Sequence, residues 1–316
     1  MSDYVSRRKI LKTIGGFGIG VTAVGVGSLP LTLDFNANPA KAQTKQALNG
    51  LHWHTGIVPA ETTSVNAGAG FGSVTTLHTV GKDYIYWLST QMKCASAPVE
   101  ERIIVRLYYP TGSPKDLPPA DKLVANEWAE FIGWCQGIGI NNFIVLNELD
   151  VEYPGLDPNY MADLATQIRA QSDQSKKVWL GFPGPSGNTP AGSEEWNNYW
   201  NRYESVINNN YDNMALHAYG INLNDLKNNT KNQAEYVHTR FANKVQRFTE
   251  YGIELRHYKG DRSKRANDYA SYVNWVRSTF SYIWGIYAWV SAGSPQFSQY
   301  EMTNDEAAIF TNKLGC

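Results

Sequence analysis

Cysteine is scarce in this chain: Cys94, Cys135 and Cys316 are the only three in 316 residues. At most one intramolecular pair can form, so no disulfide framework holds the fold together. The three also lack metal-ligand spacing. No Gly-x-Gly-x-x-Gly run and no Walker loop occurs, which removes the usual reason to expect an open nucleotide-binding sheet. No basic patch stands out, so nucleic acid is not an expected partner. After residue 43 there is no Pro/Ser linker, internal repeat or low-complexity tract. Residues 43–316 therefore read as one domain, and about 270 residues suits a single β/α barrel.

What precedes residue 43 reads as an address. Ser6-Arg7-Arg8-Lys9-Ile10-Leu11-Lys12 is a basic block with paired arginines. A Gly-rich uncharged stretch follows from Thr13, and then Ala40-Lys41-Ala42, a small-x-small cleavage pattern. The order resembles a twin-arginine export signal over residues 1–42. An uncleaved anchor is the alternative, since the apolar stretch is long enough to span a bilayer. Its glycine content and the cleavage pattern favour removal. The mature chain would begin at Gln43, leave through the export machinery to the periplasm or the medium, and keep no stable membrane insertion. Losing five of 28 basic and two of 29 acidic residues leaves 23 against 27, a net charge of −4.

Strand and helix patterns then alternate. Leu51–Thr55 ends in a Gly turn, Ser73–His78 is a second strand, and Ile103–Tyr109 is a third, closed by Pro110. Asp83–Cys94 reads as a helix on Ile85, Leu88 and Met92. Trp128, Phe131, Ile132 and Cys135 fall at helical intervals. Phe143-Ile144-Val145-Leu146 is a short apolar run suited to a strand buried on both faces. Asp157-Pro158 starts a helix with a cap and a first-turn proline, striped by Met161, Leu164 and Ile168. Lys177–Phe182 is the fifth strand, before the rigid turn Pro183-Gly184-Pro185-Ser186-Gly187. Trp196, Tyr199, Trp200 and Tyr203 mark an aromatic helix. Met214–Gly220 is a strand, a helix starts near Asn232, a strand lies near residue 250, and Tyr269–Phe280 is helical. Tyr282–Val290 is the last strand. Such alternation means a parallel sheet, and eight strands in this length favour an α/β fold closed as a (β/α)8 TIM barrel. Trp128, Trp134, Trp200 and Trp275 sit on helical stripes and read as packing residues.

The site argument begins at Asn147-Glu148. A carboxylate directly after a buried strand is costly unless something pairs or uses it. In a β/α barrel the C-terminal strand ends form the active-site mouth. Glu148 therefore reads as a catalytic acid/base, with a structural Glu148–Arg ion pair as the plain alternative. Around residue 250 the residues leave two possibilities open. Ala234, Val237, Phe241, Val245 and Phe248 fall at near-helical intervals. A helix running on to Tyr251 would leave Glu254 on the seventh strand in place of Glu250.

Asn147-Glu148 after the fourth strand, His217-Ala218-Tyr219 on the sixth, Thr249-Glu250-Tyr251-Gly252 near the seventh and Trp289 on the eighth together resemble the clan A glycoside hydrolases. These are retaining enzymes on a (β/α)8 barrel. The resemblance runs from about Leu51 to Trp289. It implies that Glu148 is the acid/base and selects Glu250 as the nucleophile. It further implies that Asn147 binds the sugar 2-hydroxyl and that Trp289 offers a flat face to the ring. His217 and Tyr219 would donate to Glu250, and Arg106 would orient it, although the family's arginine usually sits one strand earlier. His54 would line the sugar cleft. The substrate would be a poly- or oligosaccharide, and no metal or organic cofactor is implied. The chemistry needs a proton-bearing carboxyl and an ionised one about 5–5.5 Å apart.

Two other readings compete. His52-x-His54 at the end of the first strand is where metal-dependent barrel hydrolases place two ligands, and Glu148 and His217 would extend the shell. Against it, Val178–Phe182 carries no histidine and Ile286–Ser291 no aspartate. A barrel that binds carbohydrate without cutting it would suit the aromatics, but it has no need of paired carboxylates.

Overall fold

The computed structural model describes residues 48–53, 73–80, 82–83, 85–86, 103–111, 113–187, 189–290 and 302–314. The export signal, Cys94 and Cys316, His54, and most of the helix expected over Asp83–Cys94 lie outside them. Eight parallel strands close into a barrel in chain order: β1 (Leu48–Trp53), β2 (Ser73–Leu77), β3 (Ile103–Leu107), β4 (Asn142–Val145), β5 (Trp179–Pro183), β6 (Asn213–Gly220), β7 (Val245–Ile253) and β8 (Ile283–Val290). β1 pairs with β8, which completes the ring. Surrounding helices are α1 (Ala120–Leu123), α2 (Ala129–Gly137), α3 (Pro158–Gln171), α4 (Glu194–Asn210), α5 (Leu223–Arg240), α6 (Arg262–Thr279) and α7 (Asn304–Leu314). None of the described helices is long and apolar enough to cross a membrane.

The period-two pleat of the strands divides the apolar residues into two layers. Ile103, Val105 and Leu107 of β3 and Phe143 and Val145 of β4 face outward and join the large core beneath the helices. Ile104, Ile144, Ala215 and Tyr287 form a separate small cluster inside the barrel. The outward layer meets apolar helix stripes. Met161, Leu164 and Ile168 of α3 are fully buried, as are Trp196 and Trp200 of α4. Trp128 is also fully buried, in a π-helical turn over Val124–Trp128 that joins α1 to α2. Trp134 and Trp275 pack part-buried against the same core.

Helix starts follow the capping chemistry in the sequence. Asp157 accepts from the Asn159 N–H with Pro158 in the first turn, and Ser193 accepts from the Trp196 N–H. α5 begins earlier than its apolar spacing suggested, because Asn222 caps it through the N–H groups of Asn224 and Asp225.

The seventh strand settles one open point. α5 stops at Arg240 and β7 takes up Val245–Ile253, all of it buried. The near-helical spacing that ran on to Phe248 crosses from α5 into β7 and does not mark a longer helix. Glu254 lies past the strand end, at the start of a short 3-10 turn (Leu255–Tyr258), where it pairs with Arg256. Glu250 is inside the strand.

Candidate active site

Arg106 stands two residues beyond Ile104, and His217 two beyond Ala215. Since Ile104 and Ala215 belong to the inner cluster, the pleat turns both polar side chains inward, one layer nearer the mouth. Glu250 reaches the same layer by a different route. Leu216 pairs with Phe248, but His217 pairs with Glu250, so Thr249 is an extra residue in β7. The β8 side shows the same step between Phe248 and Tyr251. A β-bulge of this kind resets the alternation. Phe248 and Tyr251 both join the outer core, and Glu250 between them faces inward to Arg106.

Glu148 follows the end of β4 in strained backbone. Leu146 has φ 64° and Glu148 φ 28°, both in the half of conformational space that suits glycine. Such residues cost about 1–3 kcal/mol each and persist only where surrounding bonds fix them. Here the Leu146 N–H donates to the Leu107 carbonyl at 2.8 Å, and the N–H groups of Val151 and Glu152 both donate to the Glu148 carbonyl at 3.0 and 2.8 Å. Asp150 ties this turn to the next loop, accepting from the Ser186 N–H and the Thr189 hydroxyl, each at 2.8 Å. Burial pushes the Asp150 carboxyl up, and the charge of Glu148 adds to the rise, against the hydrogen bond from Ser186.

These elements bring four polar residues into one buried network. Glu148 is 0% exposed, Glu250 and Arg106 1%, and His217 2%. Arg106 Nη1 donates to Glu250 Oε1 at 2.7 Å, and Nη2 lies 3.1 Å from His217 Nε2. A guanidinium only donates, so Nε2 accepts. The imidazole proton is then on Nδ1 and points to Glu148 Oε1 at 2.7 Å, so His217 donates to Glu148 and not, as expected, to Glu250, because Arg106 occupies the Nε2 side. The Tyr219 hydroxyl donates to Glu250 Oε2 at 2.6 Å. Arg106 thus forms its ion pair with Glu250.

The decisive distance is between the carboxylates. Glu148, His217 and Glu250 each offer an atom within 4.8 Å of the others. Three such groups invite a metal, but the arrangement does not fit one. Arg106 lies against both His217 Nε2 and Glu250 Oε1, so a divalent cation would sit beside a fixed positive charge.

The remaining residues expected at the site are placed as follows. Asn147 is 7% exposed and donates from Nδ2 to Glu152 Oε1 at 2.7 Å. Trp289 lies in register with His52 across the β8–β1 pairing. Its side chain and that of His52 lie outside the description, as does His54 altogether. Three contributors were not anticipated from sequence: Asp150, Glu152 and Gly187. A Cβ on Gly187 would fall 2.6 Å from the Tyr219 ring and 3.2 Å from His217 Cβ. The loop after β5 therefore packs directly on the two β6 side chains of the site.

No family model matches the sequence, and no curated protein sequence does. Solved structures match the fold. A GH128 (subgroup I) endo-β-1,3-glucanase from Amycolatopsis mediterranei, in complex with laminaritriose, matches with TM-score 0.52 and 15% identity over 84% of this chain and 99% of its own. A fungal β-1,4-galactanase matches with TM-score 0.57 and 16% identity over 84% and 99%. A GH5-4 broad-specificity endoglucanase from Clostridium longisporum matches with TM-score 0.58 and 11% identity over 89% and 98%. At these identities the likeness is one of fold.

Proposed function

We propose that this chain is an exported retaining glycoside hydrolase, with Glu148 as acid/base and Glu250 as nucleophile. The observation that carries the reading is the approach of a Glu148 oxygen to a Glu250 oxygen within 4.8 Å across one barrel mouth. Retaining enzymes hold their carboxyl groups about 5–5.5 Å apart. Inverting enzymes need about 6.5–9.5 Å to admit a water.

The two acids are dressed differently, as the two roles require. Glu250 receives a guanidinium N–H on one oxygen and a phenol O–H on the other, which suits a group that stays ionised and attacks the anomeric carbon. Glu148 takes a neutral imidazole N–H on Oε1. The proton for the leaving oxygen is then carried on Oε2. After the glycosyl-enzyme forms, the same carboxylate removes a proton from water, and the ester at Glu250 is hydrolysed. Asn147 holds the 2-hydroxyl, Trp289 offers an apolar face, and His54 lines the cleft.

The similar structures act on β-1,3-glucan, β-1,4-galactan and broad glucan substrates. β-Linked hexose polymers are accordingly the first class to test. The deciding experiment compares wild type, Glu148→Ala and Glu250→Ala on laminarin, β-1,4-glucan, galactan and activated aryl glycosides, with the anomeric product followed by NMR. Retention by the wild type, with azide rescuing Glu148→Ala to a glycosyl azide of retained configuration, is the expected result. Inversion, or full activity in Glu250→Ala, would sink the assignment. Chelator-sensitive turnover with bound zinc would favour the metal-dependent reading instead.

A further inference from the structure

We propose that Glu152 is a positioning residue for the cleavage reaction, acting through Asn147. The proposal rests on the reading above, in which Asn147 holds the sugar 2-hydroxyl.

Glu152 is a third carboxylate in the turn after β4, and it is 8% exposed. The turn that carries its N–H back to the Glu148 carbonyl also brings its side chain to Asn147. A primary amide can be held from either end. A carboxylate accepts only, so it selects the NH2 end and fixes which way the amide faces. Asn147 Nδ2 is held at 2.7 Å, and Oδ1 is thereby turned away from Glu152. That oxygen is buried and has no hydrogen-bond partner among the described residues. A buried acceptor left open beside the acid/base calls for a donor supplied by something that binds there.

Glu152 is itself held. The Tyr108 hydroxyl, just past the end of β3, is pushed up by burial and then by the charge of Glu152 and a hydrogen bond to it. Tyr153 is raised by burial and by the same charge, while its hydroxyl donates to the Tyr109 carbonyl at 2.6 Å. One carboxylate thus links the end of β3, which carries Arg106, to the turn that carries Asn147 and Glu148. The sense of the Asn147 amide makes the protein the acceptor. A sugar 2-hydroxyl, which can donate, fits; a 2-O-alkyl group, which cannot, does not.

The test measures kcat and KM for wild type, Glu152→Gln and Glu152→Ala on the aryl glycoside that the wild type turns over best and on its 2-deoxy counterpart. Losing the fixed amide misplaces one contact to the reacting sugar. Glu152→Ala is expected to lower kcat/KM on the 2-hydroxy substrate by about 10- to 100-fold. The 2-deoxy substrate should change by no more than about twofold, because its missing hydroxyl has no contact to lose. Glu152→Gln preserves volume but can present either an oxygen or an NH2 group to Asn147. Its loss should be smaller and fall on the 2-hydroxy substrate alone. Equal losses on both substrates would overturn the proposal, since they would mark a structural role. Unchanged rates in both variants would overturn it alone, with the glycosidase reading intact. A wild type inactive on every glycoside would sink the reading and this proposal together.

Discussion

Arg106 Nη1 donates to Glu250 Oε1 at 2.7 Å, from a strand 144 residues earlier in the chain, and both side chains are almost wholly buried. Removing one member of a buried ion pair strands the other charge, at a cost of about 3–5 kcal/mol. Arg106→Ala is expected to lose that much stability in urea unfolding and to be nearly inactive. Arg106→Lys keeps the charge but gathers its donors on one nitrogen in place of the planar fork that spans Glu250 and His217, so its melting point should lie between those of wild type and Arg106→Ala.

Tyr219→Phe isolates the donor on the other oxygen of Glu250, 2.6 Å away. Hydrogen bonds to charged groups contribute about 1.5–3 kcal/mol. The variant should show kcat lowered by about 10- to 100-fold, measured on an activated aryl glycoside. Its far-UV spectrum should match that of wild type.

Gly187→Ala tests the loop after β5. The added methyl would lie 2.6 Å from the Tyr219 ring, closer than real contacts allow. The ring or the loop must shift, at about 1–3 kcal/mol. Turnover should fall along with melting temperature, although residue 187 carries no side chain to do chemistry.

Glu306→Ala probes stability away from the mouth. Glu306 lies 0% exposed and receives Arg265 through Nε and Nη2 at 2.8 and 3.0 Å, and Arg262 Nη1 at 2.8 Å. This carboxylate joins α7 to α6. Its loss leaves a fully buried guanidinium uncompensated, so about 3–5 kcal/mol of stability should go in chemical denaturation.

His78 supplies a pH dependence. Its Nδ1 accepts from the Tyr108 N–H at 3.1 Å. Burial lowers its pKa from 6.5 to about 4, against a hydrogen bond to the Arg106 backbone. The unfolded chain takes up this proton near pH 6.5 and the folded chain only near pH 4. His78's contribution to stability is therefore complete above about pH 6.5 and is lost as pH falls from 6.5 towards 4. His78→Gln should flatten the melting temperature against pH in that window.

The barrel was legible because helices and strands differ in period, and β3, β4, β6 and β8 carry clean apolar runs. Asn147-Glu148 stood out because an acid after a buried strand is expensive. β7 was harder to read. Val245 and Phe248, taken with Phe241 before the strand, imitate a helical interval although the pleat sets them on opposite faces, and pleat counting from the outward Phe248 would have turned Glu250 outward. Only the extra residue at Thr249 resolves the contradiction, and a bulge leaves no compositional mark. Glu152 and Asp150 were illegible for a related reason. Their importance comes from a tight turn that folds the chain back on Glu148, and nothing in the one-dimensional order announces it.

The bulge has a mechanical consequence. Above the bulge β7 stays fully paired to β6, but on the β8 side only Tyr251 is in register, opposite Ala288, so the upper part of the strand is gripped less firmly from that flank. What steadies that upper part from outside is Tyr251, whose ring meets Tyr272 at 4.7 Å and Tyr269 at 5.6 Å on α6. The direction of the Glu250 carboxylate is thus set partly from behind, by buried rings outside the barrel. A substitution on the barrel-facing side of that helix, at Tyr269 or Tyr272, is therefore expected to misdirect Glu250 while every other polar group at the mouth stays in place.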